Sequence, residues 1–220
     1  MGRPRAGHGL WTLPPGPILL ASASPRRRLL LRQQGLDFRV VVPRVAERFE
    51  REAPSRAARR LALAKAEAVA ARHPRSWVLA ADTVVAVSSR LLGKPRNRRE
   101  AEGMLAVLSG RRHQVVTGLA LLGPGFRRVG HRTTGVWIRR LTLTERRAYA
   151  STREPYDKAG GYALQGLGAL LVERITGDWS NVVGLPLGLA REHFAAAASV
   201  GRRRAPKRPG RRGRGRSTLA

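Results

Sequence analysis

The sequence predicts an α/β fold built on one mixed sheet. Two observations carry that expectation. Short apolar, β-branched runs alternate along the chain with Ala- and Arg-rich runs of helical character. Two longer strand-like runs, "HQVVTGLALLG" (113–123) and "RRVGHRTTGVWIRRL" (127–141), are joined by a glycine turn. The chain has 220 residues, 42% of them apolar, which suits one domain or two closely joined lobes with a sizeable core.

The elements follow in order. "GPILLAS" (16–22) reads as a short buried strand. Ser24 then offers an N-cap and Pro25 a first helical position for "PRRRLLLRQQ", which stops at Gly35. "DFRVVVP" (37–43) is a second strand. An Ala-rich helix is expected between Pro54 and Pro74, capped by Ser55. "WVLAADTVVAV" (77–87) is a buried strand with an embedded Asp. Asn97 opens the helix "REAEGMLAVLSG". Thr142 and Glu145 form a capping box for "ERRAYAST". "GALLVERITG" (168–177) reads as a strand, and "LPLGLAREHFAAAASV" (185–200) as a closing helix.

Composition narrows the function classes. The chain has no cysteine, which excludes disulfides, thiolate metal sites and a Cys nucleophile and fits a reducing compartment. No apolar run approaches the roughly 18 residues of a membrane span. Arg3, Arg5 and Ala21-Ser22-Ala23 imitate a signal peptide, but Pro14, Pro15, Gly16 and Pro17 break its apolar part. Residues 1–16 therefore read as a disordered leader, 17–200 as the folded domain and 201–220 as a disordered tail. That tail holds nine of the 43 basic residues and no acidic one, so it attracts nucleic acid without sequence preference. The net charge of +29 also suits an anionic substrate. Only four basic residues are Lys: Lys65, Lys94, Lys158 and Lys207. Where Arg is the default, a Lys marks a place for a compact point charge rather than a planar fork.

Several positions carry chemistry. In "LASASPRRR", hydroxyls and arginines surround a strand-to-helix junction, either as a phosphate cradle or as an ordinary capped helix. Asp82 inside an apolar strand is either catalytic or a structural carboxylate bonded to backbone. Glu47 is a surface carboxylate or a partner of Asp82 for a hard cation. The five histidines are scattered, which argues against zinc. There is no Walker-type loop and no G-x-S-x-G elbow. Within 154–166, Glu154, Asp157, Lys158, two adjacent glycines and Gln165 crowd one short polar stretch.

Five stretches in order resemble the Maf family of nucleoside triphosphate pyrophosphatases: "LASASPRR" (20–27), "AADTVV" (80–85), "GKP" (93–95), "SGRRHQVVTG" (109–118) and "EPYDKAGGYALQGLGALLVERITGDWSNVVGLPL" (154–187). The resemblance spans nearly the whole of 17–193. It implies a Maf/ITPase-like α/β fold, a mixed and strongly twisted sheet flanked by helices, with two lobes around a substrate cleft. It implies a cytoplasmic enzyme, often a homodimer, that cleaves a nucleoside triphosphate to the monophosphate and pyrophosphate with Mg²⁺ or Mn²⁺. By resemblance, Asp82 is the proton acceptor. Ser22, Arg26 and Arg27 form a phosphate-binding loop, and Lys65, Lys94 and Lys158 add phosphate-binding charge. Glu47, Asp82 and Asp157 are the metal-holding carboxylates. Arg26, Thr83 and Gln165 match the positions that separate family branches and resemble the branch acting on dTTP and UTP. The alternatives are the branch acting on 7-methyl-GTP, and a nucleic-acid-binding protein working through its basic tail. One departure stands out: the family's Asp-Glu after the second strand is Ala46-Glu47 here.

Overall fold

The computed structural model describes residues 9–204 apart from 49 and 89. Residues 1–8 of the expected leader and 205–220 of the expected tail lie outside the described residues. The sheet is mixed, as expected. Its strands are β1 (Ile18–Ala21), β2 (Arg39–Val40), β3 (Trp77–Val87), β4 (Arg90–Leu92), β5 (Arg112–Gly123), β6 (Phe126–Ile138) and β7 (Val172–Thr176). Their order is β2-β1-β3-β5-β6-β7, with β4 added to β3. β1 is parallel to both β2 and β3, and every other pairing is antiparallel.

Six helices accompany these strands among the described residues: α1 (Pro25–Gln33), α2 (Pro54–Ala70), α3 (Arg98–Leu108), α4 (Leu143–Ala150), α5 (Trp179–Val183) and α6 (Leu187–Arg204). The 11–13 residues of β3, β5 and β6 reach about 40 Å at ~3.3 Å per residue. They join two hydrophobic clusters. At one end Leu20, Leu30, Leu79, Leu121 and Phe194 pack together. At the other, Val85, Leu105, Val115, Ile138, Tyr149 and Tyr162 do. α2 covers the opposite face with Ala62, Ala66 and Val69 against Val78, Ala80 and Ala120. Its approach is very close: a Cβ on Gly118 would stand 2.1 Å from the Ala58 carbonyl oxygen, so β5 needs glycine there.

Local signals fare unevenly. The Asn97 cap accepts from the Glu100 amide, and the Thr142–Glu145 capping box is complete. Ser55 is not a cap: Ala53 holds that position and Pro54 begins α2. Ser24 does hold the cap position of α1, but its hydroxyl makes no capping bond. The strand expected over 37–43 pairs only at two residues. The expected strand 168–177 begins at Val172, because Gly166–Leu171 is a 3-10 turn. The described part of the expected leader, 9–16, is not detached. Trp11 meets Phe194 edge-on, and the Trp77 indole N–H donates to the Pro15 carbonyl at 2.9 Å. Burying an indole and satisfying its donor outweighs the weak hydropathy signal of that segment. No helix among the described residues is long and apolar enough to cross a membrane.

Candidate active site

The site sits where the sheet opens. β1 pairs with β3 only as far as Ala21 with Ala80, and β4 begins pairing at Val85. Between them, residues 81–84 of β3 have a partner on one edge only, with Asp82 opposite Gly118 of β5. An acidic side chain in an apolar strand is thereby placed at a gap rather than in the core. Strand alternation sends Asp82 and Thr83 to opposite faces, yet both line one cavity of about 290 Å³, because the gap joins the two faces. All eleven residues named from the sequence line that cavity: Ser22, Arg26, Arg27, Glu47, Lys65, Asp82, Thr83, Lys94, Asp157, Lys158 and Gln165. Five are cationic and three acidic, an imbalance that suits a polyanion.

On the α2 face, the Lys65 ammonium is buried and donates to Asp82 Oδ1 and Glu47 Oε1, each at 2.5 Å. Lys94 Nζ donates to Glu47 Oε2 at 3.0 Å. Burial pushes the Asp82 carboxyl up, and Lys65 opposes that rise without cancelling it. For Glu47 the balance goes the other way. Its partial burial is overcome by Lys65 and Lys94, which bring it down to about 2. Two carboxylates of the same cavity therefore differ in proton affinity.

On the other face, Arg27 is the hub. Its Nε donates to the Gly184 carbonyl at 2.7 Å, one Nη to Thr83 Oγ1 at 3.1 Å and the other to Ser22 Oγ at 3.4 Å. Burial lowers its pKa, and Asp82 counters that. Ser22 Oγ also accepts the Ser24 amide. Behind Thr83 lies a buried network. Thr83 and Thr117 share a hydroxyl bond of 2.9 Å, and Thr117 donates to the Asn181 carbonyl. The Asn181 amide accepts from the Thr117 N–H and donates to the Val115 carbonyl and Thr134 hydroxyl. Asp178 caps α5, which carries Asn181. Sequence reasoning missed this network. Its only local sign was Asp178 two residues before Ser180, a short N-cap pattern.

The third wall comes from 154–166. Asp157 accepts from Arg26 at 2.8 Å and from Lys158 at 2.5 Å. Tyr162 also lines the cavity, and its hydroxyl is 2.7 Å from His113 Nε2. Burial lowers His113 to about 4, so this imidazole is neutral near pH 7.

The donor set fits a hard cation in one way. Asp82 and Glu47 each give one oxygen to the Lys65 ammonium, which fills the point where those two oxygens converge and leaves Asp82 Oδ2 and the Lys94-bonded Glu47 Oε2 beside it. No cluster of three or more His, Asp or Glu among the described residues is disposed to hold an ion by itself. A divalent ion beside them would have to use the carboxylate oxygens that Lys65 leaves and complete its shell with ligand oxygens, as Mg²⁺ commonly does with phosphates.

A family model described as "Maf-like protein" matches residues 17–197. Among curated relatives, the "dTTP/UTP pyrophosphatase" of Symbiobacterium thermophilum is 50% identical over 171 residues, covering 77% of this chain and 88% of the relative. The protein of that name from Myxococcus xanthus is 51% identical over 172 residues, covering 78% and 87%. The one from Moorella thermoacetica is 50% identical over 181 residues, covering 81% and 93%.

Proposed function

The chain belongs to the Maf family, and we propose that it hydrolyses dTTP and UTP to the monophosphate and pyrophosphate. The observation that carries this reading is one cavity at the sheet gap, where the buried Asp82 carboxylate stands among five cationic side chains. The relatives named dTTP/UTP pyrophosphatase at about half identity support the substrate.

In this reading Asp82 accepts a proton from water as the water oxygen bonds to the α-phosphorus. The bond from that phosphorus to the oxygen bridging to the β-phosphate breaks, and pyrophosphate leaves with that electron pair. Arg26, Arg27, Lys94 and Lys158 neutralise the phosphates, which need positioning and charge compensation more than covalent help. Ser22 and Thr83 hold the Arg27 fork. Lys65 holds Asp82 and Glu47 together and adds positive charge near the phosphates. Glu47, Asp82 and Asp157 would hold a divalent cation jointly with substrate oxygens. Mg²⁺ or Mn²⁺ bound there supplies charge neutralisation on the phosphates. Gln165 faces the cavity with an amide that donates and accepts, as recognition of a pyrimidine base edge requires.

The test is a panel of normal and modified triphosphates assayed for pyrophosphate release with Mg²⁺ and with Mn²⁺. The expected result is highest kcat/KM for dTTP and UTP, with Asp82→Asn inactive on both. Preference for 7-methyl-GTP, or near-wild-type turnover by the Asp82→Asn protein, overturns the reading.

A further inference from the structure

Gln165 has no hydrogen-bond partner for its side chain among the described residues. The place from which it reaches is therefore set by the backbone that carries it, and that backbone is organised around one carboxylate outside the cavity lining. Glu154 Oε1 accepts from the Tyr149 hydroxyl and from the Gly168 N–H, both at 2.8 Å. Glu154 Oε2 accepts from the Leu167 N–H at 3.0 Å. The Tyr149 hydroxyl in turn accepts the Ala163 N–H at 3.1 Å. The segment 163–168 is thus tied on both sides of Gln165, at Ala163 through the tyrosine and at Leu167 and Gly168 directly.

The glycines of the segment make room for this arrangement. Gly166 has φ +83°, and a Cβ there would stand 2.5 Å from Glu154 Oε2. A Cβ on Gly168 would stand 2.4 Å from the Ala163 carbonyl oxygen and 2.7 Å from the Tyr149 hydroxyl. Bare backbone at both positions lets the carboxylate reach two successive amides. Such bonds to a charged acceptor are the stronger kind. The three donors need an acceptor that is oxygen at both ends. A glutamine would meet one of them with an N–H₂ group.

We infer that Glu154 is a positioning residue for base selection: it fixes the 163–168 turn and so the place at the cavity from which the Gln165 amide reaches the base. The inference rests on the proposal that Gln165 reads the base. It assigns that selectivity to a residue that touches no substrate.

The test compares Glu154→Gln, Gln165→Ala and the double variant with the wild-type chain. One readout is amide hydrogen exchange at Leu167 and Gly168. The other is the ratio of kcat/KM for dTTP over dCTP. Loss of a charge-assisted bond is expected to speed exchange at those amides about tenfold or more in Glu154→Gln. The dTTP/dCTP ratio is expected to fall at least about fivefold, through KM more than kcat. The double variant is expected to discriminate no worse than Gln165→Ala alone. Unchanged exchange, additive losses in the double variant, or an equal loss of kcat on every nucleotide with the ratio intact would each overturn the inference. A Gln165→Ala protein that keeps the wild-type ratio removes the base-reading role itself. A Gln165→Ala protein that loses it, beside a Glu154→Gln protein that keeps it, removes only the part given to Glu154. If Glu154→Gln does not fold, Tyr149→Phe, which cuts the tie to Ala163, is put through the same comparison with exchange read at Ala163.

Discussion

Replacing Lys65 with Met removes the one ammonium that Asp82 and Glu47 share, and its consequences can be worked from the geometry. Breaking a buried pair by deleting one partner costs about 3–5 kcal/mol, because the other charge is left buried. Glu47 escapes most of that cost. Its side chain is 36% exposed and Lys94 still reaches its second oxygen. Asp82, 6% exposed at the side chain, has no such outlet. The lower end of the range, about 3 kcal/mol, is therefore expected, or a Tm lower by about 6–12 °C for a domain of this size. The loss depends on pH. Burial already raises the Asp82 pKa above its ordinary value, and Lys65 is the largest influence opposing that rise. Without Lys65 it rises further. A carboxyl with a folded pKa above its unfolded one loses stability as pH climbs through the folded value. The deficit of Lys65→Met should accordingly grow from pH 5 to pH 8. Thermal unfolding across that range, with Lys65→Met/Asp82→Asn beside the single variant, is the assay. The neutral amide should recover most of the loss at pH 8. A deficit independent of pH, or no recovery in the double variant, would refute the assignment of Asp82 as the stranded charge.

Three further outcomes are expected. The acid limb of log(kcat/KM) against pH should have its midpoint above the ordinary carboxylate value of about 4, since Asp82 must be ionised to accept a proton and burial raises its pKa; a midpoint at or below that value would remove Asp82 as the base. Asn181→Ala should cost about 2–3 kcal/mol in urea unfolding, because it strands the fully buried Thr117 amide and takes a donor from the Val115 carbonyl, while the Thr134 hydroxyl keeps its bond to the Asp178 carbonyl, and it should raise KM by loosening Thr83 and Arg27; a loss under about 1 kcal/mol would show the network to be replaceable by water. Deleting residues 205–220 should leave dTTP turnover within about twofold while lowering the salt needed to elute the protein from heparin; a large fall in turnover would give the basic tail a part in the site.

How much of this was legible in the sequence depended on how far apart the cooperating residues are. The Asn97 cap and the Thr142–Glu145 box were readable because donor and acceptor lie three residues apart. Ser55 misled because it resembles a cap by type, while the Pro54 ring already fixes the first helical turn one position earlier. The strand expected over 168–177 begins late beside Glu154, fourteen positions before Gly168, which takes the Gly168 amide and the Leu167 amide just before it into a 3-10 turn. No window along the chain contains both partners. Asp82 shows the same limit in the site. The sequence marked an acid in an apolar strand. Only the register, with β1 ending opposite Ala80 and β4 starting opposite Val85, shows the opening that makes the acid tolerable. α5 went unread because five residues are too few to display a helical period.

The division between Lys and Arg gains a physical account from these contacts. Lys65, Lys94 and Lys158, the three lysines before the tail, all line the cavity. Each meets its acceptors through a single nitrogen. Lys65 bonds two different carboxylates, Lys94 the far oxygen of one of them, and Lys158 both Asp157 and the Glu154 carbonyl. An ammonium accepts such convergent geometries because its donors are not confined to a plane. Arg27 has the opposite task. Its acceptors are the Gly184 carbonyl, the Thr83 hydroxyl and the Ser22 hydroxyl, spread around one buried guanidinium, and each meets a different nitrogen. A lysine at 27 could keep one or two of those bonds and would leave the rest unmet in a buried place. An arginine at 65 would bring a planar fork to carboxylates that converge on one point. The choice of cation at each position thus follows from whether the acceptors converge or diverge, and the lysines mark the wall where negative charge from the protein must be held beside negative charge from a ligand.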